Sequence, residues 1–366
     1  MSALRDTNVG GGTPRWWGQA AAWVGRNLFA TWYDGLLTLA LLAGMYAAGG
    51  ATFRWMVTAA GFGSGPEACA SRSGACWAFV YEMGPLFLVG SYPFAERWRP
   101  LAALAVLAVL VLASVFERVR RHRLFFPLCV ASSAGAALLV RGAGALGLPP
   151  VDAELWGGAL LTIALSSAGI AAAFPLGVLL ALGRTSRALP VIRTVCASYI
   201  ELVRGVPLVT LLFMSSVMLP LFFPPGFEIS KVFRAQIAVV LFSAAYVAEV
   251  VRGGLHAVPR GQVEAAHALG LTWSRTMALV VLPQALRAVI GPLVSTFIAL
   301  LKDTSLVAII GLHDLLGMAA LTTANPRWVG RMVEAYVVVA ALYWMLCSSL
   351  SRFGRYAENR RKEGSP

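Results

Sequence analysis

Two groups of polar residues sit inside apolar sequence, and their types point to different chemistry. Lys302-Asp303-Thr304-Ser305 interrupts the run from Leu286 to Leu312. One cation, one anion and two hydroxyls suit a small solute that carries both charges. In hydrocarbon each charge costs about 2.5–3.5 kcal/mol on insertion scales, so the pair must face protein or water. Two readings stand: an ion pair or contact locked against a neighbouring helix, or the polar lining of a translocation path. Glu249, three residues before Arg252, is a weaker member of the second reading and suits an Arg-paired, inter-helix role as well.

The second group lies in a polar, Gly-punctuated insert between apolar segments. Gly261 leads into Glu264-Ala265-Ala266, followed at fixed spacing by Gly270, Val280, Leu282 and Pro283. Propensity predicts a short helix over 262–269, ended by Gly270. Consecutive alanines make a thin surface that the groove of another protein can approach, and Glu264 adds a charged handle. Pro283 marks the start of the next apolar segment. The alternative is an ordinary amphipathic helix lying on a membrane.

Catalytic sets are missing from the pattern. The five cysteines have no metal-ligand spacing, and the four histidines (His122, His256, His267, His313) form no HxxxH pair. No Ser-His-Asp arrangement and no GxxxxGK[ST] phosphate loop occurs. The expectation is therefore no catalytic centre, no metal and no cofactor bound by this chain. Cys129, Cys196 and Cys347 lie in or beside apolar runs and read as packing residues. Cys69 and Cys76 could close a small ring if their loop faces an oxidising compartment. Two free thiols is the other reading.

The elements that hold these groups must lie in a membrane. Of 366 residues, 58% are hydrophobic and only 13% charged, where a soluble domain carries about a quarter charged residues. Apolar runs of this length have to be helices, because lipid cannot hydrogen-bond exposed backbone. Spans are predicted near 32–53, 101–116, 124–140, 156–183, 204–223, 233–252, 286–312 and 333–352, with an interfacial stretch near 77–92. Residues 1–30 lack a compact apolar core with a small-residue cleavage site, so no cleaved leader is expected. A change of texture near Val151 predicts an N-terminal extension of three spans (1–150), a five-span core (151–355) and a basic tail (356–366).

Eight spans with the amino end inside put 1–31, 117–123, 184–204, 252–287 and 352–366 on one side, with 20 of the 30 Lys and Arg residues against nine opposite. That asymmetry predicts both termini in the cytoplasm. It also accounts for the net charge of +13 without nucleic acid, which would need a basic face on a soluble domain. The same frame places Cys69 and Cys76 outside and the Glu264 insert inside.

With those residues in place, the insert resembles the EAA loop of ABC importer permeases. Tyr199-Ile200-Glu201-Leu202-Val203-Arg204-Gly205-Val206-Pro207-Leu208, Tyr246-Val247-Ala248-Glu249-Val250-Val251-Arg252-Gly253-Gly254 and Leu300-Leu301-Lys302-Asp303-Thr304-Ser305-Leu306 carry the resemblance further, to the polar amino-acid uptake family. It covers about residues 155–352. The extra leading spans and Cys76-Trp77-Ala78-Phe79 resemble the longer permease type of the general L-amino-acid transport system. The resemblance implies an all-α, type I permease core in a bacterial inner membrane. It also implies a second homologous permease subunit, a cytoplasmic ATPase dimer holding ATP and Mg, and a periplasmic amino-acid-binding protein. Gly261, Glu264, Ala265, Ala266, Gly270, Leu282 and Pro283 would couple to the ATPase. Ser295 stands near where the family commonly has Asn; it keeps a hydroxyl and loses the amide, so solute specificity does not carry over there. The rival readings are a self-contained secondary transporter using Lys302 and Asp303 for ion coupling, a membrane-embedded enzyme, and a permease for an opine-like solute.

Overall fold

The computed structural model describes residues 15–363 apart from 117, 118, 120, 121, 145, 146, 187, 225, 227 and 228. Most of the basic cluster expected at 117–123, and the extreme ends of both predicted cytoplasmic tails, lie outside the described residues. Among the described residues the chain is helical with no strand, and it forms two compact units, one up to Ala78 and one from Phe79.

The first unit holds α1 (Arg15–Leu28), α2 (Trp32–Phe53) and the short α3 (Glu67–Ala70). Thr31 caps α2: its hydroxyl accepts from the Asp34 N–H at 3.3 Å and donates to the Asp34 carboxylate at 2.6 Å. This satisfies one of the unpaired N–H groups at the start of a helix. No residue of α2 is buried, as suits a helix apolar all round and surrounded by lipid. Beyond it, Cys69 and Cys76 form a disulfide with Cα atoms 5.5 Å apart. Gly61 donates to the Ala75 carbonyl and accepts from the Trp77 N–H, and a Cβ there would lie 2.7 Å from the Ala68 carbonyl oxygen.

In chain order, α4 (Trp77–Val89), α5 (Trp98–Val115) and α6 (Phe125–Arg141) come next. Val89, Tyr92, Ala103, Val140 and Val151 make one buried cluster that also takes in Leu160 of the following helix. Buried Arg99 pairs there with Glu96 at 2.8 Å and donates to the Pro149 carbonyl at 2.8 Å, while the Tyr92 hydroxyl donates to the Val140 carbonyl at 2.7 Å.

The remaining helices are α7 (Gly158–Thr185), α8 (Pro190–Gly205), α9 (Leu208–Phe213), α10 (Lys231–Ala257), α11 (Arg260–Ala268), α12 (Trp273–Thr276), α13 (Leu282–Ala288), α14 (Ile290–Asp303), α15 (Leu315–Thr323) and α16 (Met332–Glu363). Helices α7 and α10 pack along their length, and Gly177 sets how closely: a Cβ on it would meet Val247 at 2.6 Å and the Ala244 carbonyl at 2.9 Å. One core cluster joins Leu161, Leu165, Leu212, Val239, Leu300 and Val307. A second joins Ala181, Ile200, Val247, Val251 and Leu293.

Among the described residues six helices are long and apolar enough to cross a membrane, or seven if the bent pair 190–205 and 208–222 is one span. The predicted eighth corresponds to α6, whose 17 residues reach about 26 Å, short of a hydrocarbon core of about 30 Å. The span predicted near 204–223 differs in form. Val206 turns extended ahead of Pro207, as the residue before proline tends to, and the chain bends by 103° between α8 and the helix after it.

Candidate functional site

Helix α11 is built to be touched. Its C-terminus closes with a Schellman arrangement, in which the Gly270 N–H donates to the His267 carbonyl and the Leu271 N–H to the Ala266 carbonyl. Gly270 takes φ +76 with open space around its Cα, so glycine is required by backbone conformation rather than by crowding. Ala266 is buried, while Gly261, Glu264 and Ala265 are exposed. Leu269, beside the left-handed turn, is 83% exposed, and Trp273 is 52% exposed.

The insert is held to the spans at two points. Gln284 of α13 donates to the Gln262 side chain at 3.2 Å. Gly254, near the end of α10, lies against α13, where a Cβ would come within 2.6 Å of the Ala285 carbonyl oxygen. Leu282 and Pro283 open α13 and are half-buried. The residues that the resemblance assigns to coupling thus divide into an exposed set (Gly261, Glu264, Ala265, Gly270) and a more buried set (Ala266, Leu282, Pro283).

Glu249 is the centre of a charged cluster joining three helices. Arg252, one turn on in α10, donates Nε to both carboxylate oxygens at 3.1 Å and also contacts it through Nη2. Arg184 at the end of α7 lies 3.7 Å away and Arg204 at the end of α8 lies 3.8 Å away. Arg184 also pairs with Glu201 at 2.9 Å, and the Arg204 guanidinium sits over the Tyr246 ring at 5.5 Å. Spacing in the sequence reveals the Glu249–Arg252 pair but not Arg184 and Arg204, which arrive from other helices. The cluster is a clamp between helix ends, so Glu249 is already engaged by protein rather than open to solute.

The remaining path candidates divide by burial. On α14, Pro292, Ser295, Ala299 and Lys302 are all exposed, and their spacing puts them on one helix face. Among the described residues no ion pair involves Lys302 or Asp303. Asp303 and Ser305 are half-buried, and Thr304 is buried with its hydroxyl donating to the Leu301 carbonyl at 2.8 Å. At Thr304–Ile310 the helix tightens to a 3-10 form. The open stripe therefore carries Ser295 and Lys302, with Thr304 turned inward.

Sequence reasoning missed Asp314, which is fully buried. It caps α15 through the Gly317 N–H at 2.9 Å and accepts from the Tyr343 hydroxyl at 2.8 Å and the Thr162 hydroxyl at 3.4 Å. Burial pushes its pKa above the usual value, and the hydrogen bonds from Gly317, Tyr343, Leu316 and Thr162 partly offset this. An Asp two residues after an apolar run and three before a Gly was a readable cap. Its ties to α7 and α16 were not readable.

These features define a polytopic helical membrane protein with a short, exposed helix, α11, between two of its spans. Residues 173–363 match the family described as binding-protein-dependent transport system inner membrane component. The chain is 44% identical to the inner membrane amino-acid ABC transporter permease protein YhdY of Escherichia coli (strain K12), covering 94% of each. It is 37% identical to the glutamate/glutamine/aspartate/asparagine transport system permease protein BztC of Rhodobacter capsulatus, covering 81% of this chain and 80% of that one. Among solved structures it is similar to an amino acid ABC transporter crystallised with histidines, at 33% identity and a TM-score of 0.48, over 55% of this chain and 91% of that one. The chain belongs to the binding-protein-dependent inner membrane component family, the permeases of ABC importers.

Proposed function

We propose that this chain is the translocating permease of an ABC importer for polar L-amino acids. In this reading residues 151–355 form the permease core, 1–150 an extension and 356–366 a basic tail. Both termini are cytoplasmic. A second homologous permease completes the path, a periplasmic amino-acid-binding protein delivers the solute, and a cytoplasmic ATPase dimer binds ATP and Mg and supplies the work. The observation that carries the reading is the exposed Glu264–Ala265 face of α11, ended by Gly270 and tied to α13 through Gln284, with α13 in turn packed on Gly254 of α10. A force applied there would move the inner ends of α10 and α13 together.

The amino-acid assignment is supported by the two relatives' names and by the charges on α14. An amino acid carries a carboxylate and an ammonium, and Lys302 and Asp303 offer the opposite charges at one level of the helix. The disulfide loop at Cys69–Cys76 fits the oxidising side of the membrane.

The test is solute uptake by the assembled complex in proteoliposomes that also contain the binding protein. ATP enclosed with the ATPase side should drive labelled amino-acid uptake, and collapsing the proton gradient should leave it intact. Uptake that needs the gradient and ignores ATP would replace this reading with a secondary transporter.

A further inference from the structure

We propose that α1 (Arg15–Leu28) is an in-plane membrane anchor, seated at the headgroup–acyl boundary of the phospholipid bilayer beside the entry of α2. Its 14 residues extend about 21 Å, too short to cross. Ala20, Val24 and Leu28 recur every four residues along one stripe, with Ala22 and Arg26 on the other side and Trp23 between the two. Val24 is 37% exposed and Trp23 57%, so this stripe is not packed away within the chain.

The bilayer is the occupant because of how α1 is joined to α2. Only residues 29–31 separate them, about 10 Å at full extension. Even that freedom is restricted, since the Thr38 hydroxyl of α2 donates to the Leu28 carbonyl at 2.8 Å. Helix α2 has no buried residue and begins with Trp32 and Tyr33, 81% and 58% exposed, the residue types that settle at the lipid–water boundary. An apolar stripe held this close to that boundary has lipid as its nearest apolar medium. Trp23 at the edge of that stripe presents an apolar body with a polar N–H, and Arg26 on the polar side can reach phosphate.

The inference rests on the chain spanning a membrane, but its test reads position and not transport. The full chain, in its assembled complex, is reconstituted in phospholipid vesicles with Cys129, Cys196 and Cys347 replaced by serine. Single spin labels are attached at Ala20→Cys, Ala22→Cys, Val24→Cys and Arg26→Cys, and collision with oxygen is compared with collision with a water-soluble nickel chelate. The expected result is an oxygen-to-chelate ratio several-fold higher at Ala20→Cys and Val24→Cys than at Ala22→Cys and Arg26→Cys. Equal chelate access at all four positions would place α1 in water and overturn the proposal. Labels at Ala20→Cys and Val24→Cys shielded from both reagents would overturn it in favour of a protein partner.

Discussion

Glu249 faces more positive charge than it can neutralise alone, since Arg184, Arg204 and Arg252 all converge on its carboxylate. Removing that charge leaves three half-buried guanidiniums repelling one another. Glu249→Gln is expected to cost about 1–3 kcal/mol, between the values for exposed and buried pairs. Thermal unfolding of the purified complex in lipid measures it, and adding Arg252→Gln should recover part of the loss in a double-mutant cycle. An additive double mutant would contradict the clamp. Asp314 makes a prediction of opposite sign. Its pKa is raised above the ordinary 3.8 by burial, so the folded state holds its proton more tightly than the unfolded one. That contribution to stability is fully present below the unfolded pKa and is lost as pH rises through the folded pKa. Asp314→Asn keeps a cap for Gly317 without the buried charge and should unfold near the wild-type temperature at pH 7. Asp314→Ala should lose about 1–3 kcal/mol, from the cap and the partners left unpaired. At residue scale the sequence made local relations readable, such as Glu249 with Arg252 or Gly270 after an alanine helix. It could not show Arg184 reaching Glu249, or Thr162 and Tyr343 reaching Asp314, because contacts between distant helices leave no spacing to read.

Close approach of backbones governs the elements. Gly177 lets α7 and α10 pack, and Gly254 lets the C-terminal end of α10 rest against α13, the helix that follows the polar insert. A methyl group at Gly254 would overlap the Ala285 backbone, where no side-chain rotation can relieve it, so α10 and α13 must separate. Gly254→Ala should therefore reduce uptake in proteoliposomes while ATP binding by the complex stays intact; wild-type uptake would show that this contact carries no motion. Hydrophobic runs made the long helices readable, because α2, α7, α10 and α16 must satisfy their own backbone in lipid. Three features differ from the plain spans those runs suggest. The chain bends by 103° ahead of Leu208, α14 passes into a 3-10 turn at Thr304, and α1 is an amphipathic helix in a stretch whose composition reads only as mixed. Average apolarity does not encode a bend or a face; residue spacing encodes the face, and tertiary packing the bend.

The proposed orientation, with both termini cytoplasmic, follows from the charge asymmetry over the whole chain and can be checked directly. In intact cells with the outer membrane opened, an impermeant maleimide should label Arg72→Cys. Ala265→Cys should react only after the inner membrane is permeabilised. Labelling in the reverse order would turn the molecule over and remove α11 from any cytoplasmic partner. The most direct test of the central claim, that work enters through α11, is paired measurement of ATP hydrolysis and amino-acid uptake in one proteoliposome preparation carrying wild-type or Gly270→Val chain. A β-branched residue at φ +76 strains the turn by about 1–2 kcal/mol or more, enough to displace Leu269 and Glu264 from their presented positions without touching the spans. The account predicts that the variant assembles and that solute moved per ATP hydrolysed falls by about tenfold, the equivalent of about 1.4 kcal/mol. An assembled Gly270→Val complex with wild-type hydrolysis and wild-type uptake would contradict it.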